Sequence, residues 1–137
     1  DKTAKVWDAT NFTELATLRG HGDYVLSAVF SPDGTRILTA SHDATAKVWD
    51  ATNFTELATL RGHCNVVFSA VFSPDGTRIL TANWGDTAKV WDATNFTELA
   101  TLRGHGKAVE TAVFSPDGKS FLTASLDHIT KLSLSPQ

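Results

Sequence analysis

Cysteine is almost absent from this chain. Cys64 is the single one in 137 residues, so no internal disulfide can form and nothing points to an oxidising compartment. No apolar run approaches the length needed to cross a bilayer as a helix, and no signal peptide is visible. These absences together point to a cytoplasmic setting, with no membrane partner. The net charge is only −3, and the 12 lysines and arginines are spread along the chain. A nucleic-acid partner requires a concentrated basic face, which this distribution does not supply. There is no glycine-rich phosphate loop. Cys64, His42 and His128 do not cluster at metal-site spacing, so no metal and no cofactor is expected.

What the chain does have is repetition. Gly-His, an apolar run, Ser-Pro-Asp-Gly, a second run and Val-Trp-Asp fill Gly20–Asp50, and the same order returns 42 residues later at Gly62–Asp92. The first half returns again from Gly104. His21, His63 and His105 are in step, and so are Trp7, Trp49 and Trp91. A fixed period of this size means a stacked repeat architecture. Within one period the runs Tyr24–Phe30, Arg36–Ser41 and Thr45–Trp49 read as strands separated by turn residues, and Thr55–Leu60 as a fourth. Tyr24–Phe30 is too continuously apolar for a surface strand, so it is expected to be covered on both faces. The fold class is therefore all-β, with four short antiparallel strands per repeat.

The Gly-His to Trp-Asp pairing at this period resembles the WD-repeat family of β-propellers, and high-identity copies of this kind resemble the repeats of bacterial and fungal multidomain WD-repeat proteins. The resemblance implies one propeller blade per repeat and about three blades in the chain. Residues 1–18 supply the last two strands of a blade, 20–60 and 62–102 two full blades, and 104–134 an incomplete one. Three blades do not close a ring, and an open stack leaves apolar faces exposed. Closure is expected either from parts of a longer chain or from a homo-oligomer: two copies would give six blades, the favoured number, and three would give nine. Asp1 falls inside a repeat and is not preceded by Met, which suggests a piece of something larger. Ser133 and Leu134 stand where a Trp-Asp is due, whereas Lys2–Asp8 carries an intact copy of that strand. In an exchanged oligomer Asp1–Leu18 would complete the blade begun at Gly104 and displace Ile129–Leu134.

The resemblance also implies that each blade is locked by a chain of Trp, Thr, His and Asp. By position these are Trp49, Thr39, His21 and Asp43 in the first full blade. In the second they are Trp91, Thr81 and His63, with Gly85 at the carboxylate position and Asp86 displaced by one. In the third they are His105, Thr123 and Asp127, with Trp7 and Asp1 of a neighbour as candidates to complete the set. A His, a hydroxyl and an Asp are also the parts of a hydrolase triad. One such set in every blade, with its threonine inside a strand, reads instead as architecture, so no catalytic residue is expected.

Asn11, Asn53 and Asn95 match a glycosylation pattern, but they are three copies of one turn and no secretory signal accompanies them. The differences between copies are more informative. The stretch from Trp-Asp to the next Gly-His is identical in all three. Variation falls after Gly-His (Asp23, Tyr24; Cys64, Asn65; Lys107) and before the Trp-Asp strand (His42; Trp84, Asp86; Leu126, His128). In a four-stranded meander both connections emerge at one end, so one rim varies while the rest is copied. Loops on a rigid scaffold carry specificity, and Tyr24 and Trp84 are the expected anchors. The function expected is a non-enzymatic scaffold binding a protein or peptide on that rim. The alternatives are a purely structural or engineered repeat assembly without ligand, and the sensor domain of a larger signalling enzyme.

Overall fold

A computed structural model describes residues 2–63, 66–83, 87–103, 109–125 and 130–134. Every regular element among them is a strand: β1 (Ala4–Trp7), β2 (Glu14–Leu18), β3 (Val25–Phe30), β4 (Arg36–Ser41), β5 (Ala46–Asp50), β6 (Glu56–Leu60), β7 (Val67–Phe72), β8 (Arg78–Asn83), β9 (Thr87–Asp92), β10 (Glu98–Arg103), β11 (Val109–Phe114), β12 (Ser120–Ser125) and β13 (Thr130–Leu134). They form antiparallel meanders in the order β1-β2, β3-β4-β5-β6, β7-β8-β9-β10 and β11-β12-β13. Two sheets are thus complete four-stranded blades, flanked by a strand pair and a three-stranded sheet.

The turns explain why the strands reverse where they do. At Ser31–Arg36 the Gly34 N–H donates to the Ser31 carbonyl at 2.9 Å, and Gly34 adopts φ +75°, which a residue without Cβ reaches without strain. Asp33 accepts from Thr35 N–H and from the Ser31 and Thr35 hydroxyls, which holds its carboxyl down at about 2. The same turn recurs at Ser73 and Ser115. At the next reversal Asp50 accepts from the N–H groups of Thr52 and Asn53, and Phe54 N–H donates to the Asp50 carbonyl. Phe54 sits at φ +61°, a conformation costing a side-chain-bearing residue about 1–2 kcal/mol. Exposed Phe12 adopts nearly the same φ in its copy of the turn, so the turn's own hydrogen bonds offset that cost, and the Phe54 ring in addition packs beside Leu18, Ile37 and Trp49.

The sheets stack face to face through repeated contacts. Ala4, Val6 and Leu18 pack on Ile37 and Trp49 of the first blade. Leu38, Val48 and Leu60 pack on Ile79 and Trp91 of the second. Leu80, Val90 and Leu102 pack on Ala112 and Phe121 of the third sheet. Arg36 ties two blades together by lying 5.4 Å from the centre of the Phe96 ring while donating to the Ala93 carbonyl at 2.5 Å.

One expectation meets a different outcome. The Tyr24–Phe30 run is not covered on both faces in the first blade: Tyr24, Leu26, Ala28 and Phe30 are all exposed. Their counterparts Val66, Phe68, Ala70 and Phe72 in the second blade are covered or half-covered. The physical reason is position in the stack: among the described strands, the β1-β2 pair and not a full blade lies before the first blade. At the far end, β13 fills the third place of the last sheet, with Ser133 opposite Phe121, in the register that sets Trp49 opposite Ile37.

Candidate functional site

The interior of each full blade holds a hydrogen-bonded lock. In the first, Trp49 Nε1–H donates to Thr39 Oγ1 at 3.0 Å, and Thr39 Oγ1 lies 2.7 Å from His21 Nε2. His21 Nδ1 lies 2.9 Å from Asp43 Oδ2. The carboxylate assigns the tautomer: Nδ1–H donates to Asp43, leaving Nε2 to accept from Thr39. Every donor and acceptor in this chain is used. Partial burial opposes ionisation of Asp43, but hydrogen bonds from Thr45 Oγ1, His21 and the Gly22 N–H outweigh it and hold its carboxyl well below the usual range.

Among the described residues the second blade shows two of the three hydrogen bonds of this lock. Trp91 Nε1–H donates to Thr81 Oγ1 at 3.0 Å, and His63 Nε2 lies 2.6 Å from that hydroxyl. Among the described residues, no hydrogen-bond partner meets the buried His63 Nδ1. Burial, and secondarily the charge on Lys89, pushes the imidazole down to about 4. In the third sheet Thr123 is buried at the matching place, while His105 and Asp127 lie outside the described residues, as does Asp1.

A part of the lock that sequence reasoning missed is an ion pair beneath the tryptophan strand. Lys47 Nζ, 6% exposed as a residue, donates to Glu56 Oε1 at 2.9 Å and Thr59 Oγ1 at 2.8 Å, and Lys89 repeats this with Glu98 and Thr101. The available signal was a lysine two before each Trp and a glutamate nine beyond it, unchanged in all copies. Gly20 closes over this pair at φ +148°. A Cβ there would stand 2.9 Å from Glu56 Oε1 and 3.3 Å from Trp49 Cη2. Gly20→Ala is expected to destabilise by about 2 kcal/mol, from backbone strain and disturbance of Lys47–Glu56. Gly22→Ala, where a Cβ would meet Asp43 Cβ at an ordinary 4.0 Å and φ is not left-handed, should be close to neutral. Urea melts of the two variants compare these effects, and equal midpoints would contradict the assignment.

The rim is the second feature. His42 N–H donates to the Tyr24 carbonyl at 2.8 Å, and Val25 pairs with Ser41, so the two variable connections of the first blade lie side by side. At the opposite end Ala51 N–H donates to the Thr35 carbonyl, joining the two turns that barely change between copies. On the variable side the Tyr24 and His42 rings meet edge-on, with centroids 6.5 Å apart and planes at 88°. Asp23 Oδ1 accepts from Tyr24 N–H, and its other oxygen lies 3.9 Å from His42 Nδ1. Tyr24 remains 56% exposed. Ala44, in the same turn, is held at φ +73°, unfavourable for an alanine. The structure therefore brings Asp23, Tyr24 and His42 together. The other expected rim residues, Cys64, Asn65, Trp84, Asp86, Lys107, Leu126 and His128, lie outside the described residues.

Chemically, the two features differ. Thr39 and Thr81 are fully buried, and each hydroxyl is engaged by an indole and an imidazole. A nucleophile must be presented to a substrate. The rim instead offers an exposed aromatic ring flanked by an imidazole and a carboxylate.

Comparison with known proteins bears on the whole chain. The family described as "WD domain, G-beta repeat" matches residues 12–50, 54–92 and 96–132. Ribosome assembly protein 4 of Saccharomyces cerevisiae is similar at 46% identity over 39 residues, which is 28% of this chain and 8% of the yeast protein. Coronin-7 of Pongo abelii is similar at 51% identity over 41 residues, 30% of this chain and 4% of that protein. Each aligned stretch is about one repeat long and spans a small fraction of a much longer relative.

Proposed function

The chain belongs to the WD40 repeat family, and on that premise we propose that it is a non-enzymatic scaffold that binds a protein or peptide through the rim formed by residues 22–24 and 42–44 and their repeats. WD40 repeats generally mediate protein–protein interaction. The observation that carries the finer reading is Tyr24: its ring is exposed on the end that varies between otherwise copied repeats, and Asp23 and His42 hold it in place. Tyrosine offers a large contact area at low entropic cost, and such residues dominate binding energies when a partner desolvates them. The buried, fully used hydroxyls of Thr39 and Thr81 support the non-enzymatic part of the reading.

Peptides selected from a random display library against the immobilised chain test this. Tyr24→Ala is expected to weaken the selected peptides by about 30-fold or more, the effect of losing a hot-spot aromatic. Pro32→Ala, on the invariant rim, should leave binding within about two-fold, as surface contacts outside a hot spot do. Equal affinities for wild type and Tyr24→Ala would exclude the rim around Tyr24 as the binding surface.

A further inference from the structure

The turn before the tryptophan strand is built differently in the two full blades. β4 and β8 share Arg-Ile-Leu-Thr-Ala and diverge only at their last residue, Ser41 against Asn83. Two residues on, the first copy has Asp43 and the second has Gly85. The third copy keeps the first arrangement, with Ser125 and Asp127. Serine thus accompanies aspartate, and asparagine accompanies glycine.

In the first blade Asp43 carries two duties. Its Oδ2 faces His21 Nδ1 at 2.9 Å and accepts from the Gly22 N–H at 3.0 Å, which completes the lock. Its Oδ1 accepts from the N–H and the hydroxyl of Thr45, at 2.9 and 2.6 Å, which fastens the turn to the start of β5. Asp43 N–H donates in turn to Ser41 Oγ at 3.0 Å. The middle of this turn is therefore committed to structure, and a change at Asp43 unsettles the turn and the lock together.

The second blade fastens the same place by another route. Thr87 is buried, as Thr45 is, so its hydroxyl needs an acceptor. Gly85 has no side chain to offer one. The hydroxyl donates instead to Asn83 Oδ1 at 2.6 Å, the same length as the bond from Thr45 to Asp43. This bond joins the last residue of β8 to the first of β9 and runs through none of the residues between them. β9 begins at Thr87, one residue earlier in the repeat than β5, which begins at Ala46. The frame behind it is unmoved: the His63 and Trp91 rings lie 6.4 Å apart at 57°, against 6.5 Å and 59° for His21 and Trp49.

We infer that Asn83 is the positioning residue of the second-blade rim: it takes over the fastening of the turn from the aspartate, and so releases positions 84–86 to set binding specificity. This deepens the rim reading and rests on it. A connection relieved of structural duty can change its side chains at little cost to the fold, and such connections are where a rigid scaffold carries its specificity. Trp84 and Asp86, which stand where the first blade has His42 and Ala44, are the side chains so released.

Urea melts test the fastening. Asn83→Ser should lower the folding equilibrium constant about ten-fold or more, the effect of orphaning one buried hydroxyl. Adding Gly85→Asp, which rebuilds the first-blade arrangement, should restore it. An unchanged midpoint in Asn83→Ser, or no recovery on adding Gly85→Asp, would overturn the role of Asn83. The release is tested by Trp84→Ala combined with Asp86→Ala. That variant should keep its folding constant within about two-fold of the unmodified chain, as surface changes do. Peptides selected from a random library on the unmodified chain should nevertheless bind it about 30-fold more weakly. Asp43→Ala sets the contrast, with an expected loss of about ten-fold or more in the folding constant. A larger loss of stability in the Trp84→Ala, Asp86→Ala variant, or an unchanged peptide affinity, would overturn the release. The melts need no ligand, and Tyr24→Ala judges the rim reading separately, so the two fail on different results.

Discussion

Replacing Thr39 by valine will destabilise the chain by about 3 kcal/mol, read as a lowered urea midpoint at fixed protein concentration. Valine keeps the shape and removes only the hydroxyl. That hydroxyl accepts from Trp49 Nε1–H and donates to His21 Nε2, so one change orphans two buried groups. Each unsatisfied buried group costs about 1–3 kcal/mol. The loss should be cooperative, because the groups are members of one chain. In a double-mutant cycle with Trp49→Phe, which removes the indole donor, the combined cost should fall short of the sum by about 1 kcal/mol or more. Thr39→Ser, which retains the hydroxyl, should recover most of the stability. A Thr39→Val variant within about 0.5 kcal/mol of wild type, the range of an ordinary surface change, would contradict the lock.

Acidification from pH 6.5 to pH 4 will remove about 3 kcal/mol through His63 alone. The native imidazole is pushed down to about 4, first by burial and then by Lys89, with Glu98 opposing. In the unfolded chain it titrates near its ordinary 6.5. Between those values the unfolded state binds more protons than the folded one, so stability rises with pH. The contribution is complete above about pH 6.5, is lost progressively on the way down to about 4, and changes no further below that. Each pH unit between the two values is worth about 1.4 kcal/mol. Carboxylates held low, such as Asp33 and Asp75 at about 2, lose their contributions mainly below this window. His63→Gln, which offers Thr81 a polar partner without a titration, should flatten the stability profile between pH 6.5 and 4. A slope unchanged by that substitution would show that another group carries it.

The period and the turns made the four-stranded blades legible, because proline, aspartate and glycine at fixed offsets leave few ways to reverse a chain. Membership of His21, Thr39, Asp43 and Trp49 in one hydrogen-bonded chain was legible as well. The pairing of buried Lys47 with the more exposed Glu56 was not, because a lysine and a glutamate nine residues apart in strands read as solvent-facing. The left-handed Phe54 was hidden because phenylalanine is an unusual occupant of that conformation, and it is the hydrogen bonds of the Asp50 turn, repeated around Phe12, that hold it there. The contrast between Trp7 and Trp49 lies beyond any local reading. Their neighbours in sequence are the same, and what differs is a strand contributed from elsewhere in the fold. The rim was legible as a pattern of differences, while the edge contact of Tyr24 with His42 required coordinates.

The central claim is that binding is confined to the variable rim of a copied scaffold. Photo-crosslinking tests it most directly: a benzophenone amino acid placed at Tyr24, or at Thr52 on the invariant rim, is irradiated with a library-selected peptide at saturating concentration. The account predicts a covalent adduct from position 24 and none from position 52. Adducts from position 52 alone, or in equal yield from both, would contradict it.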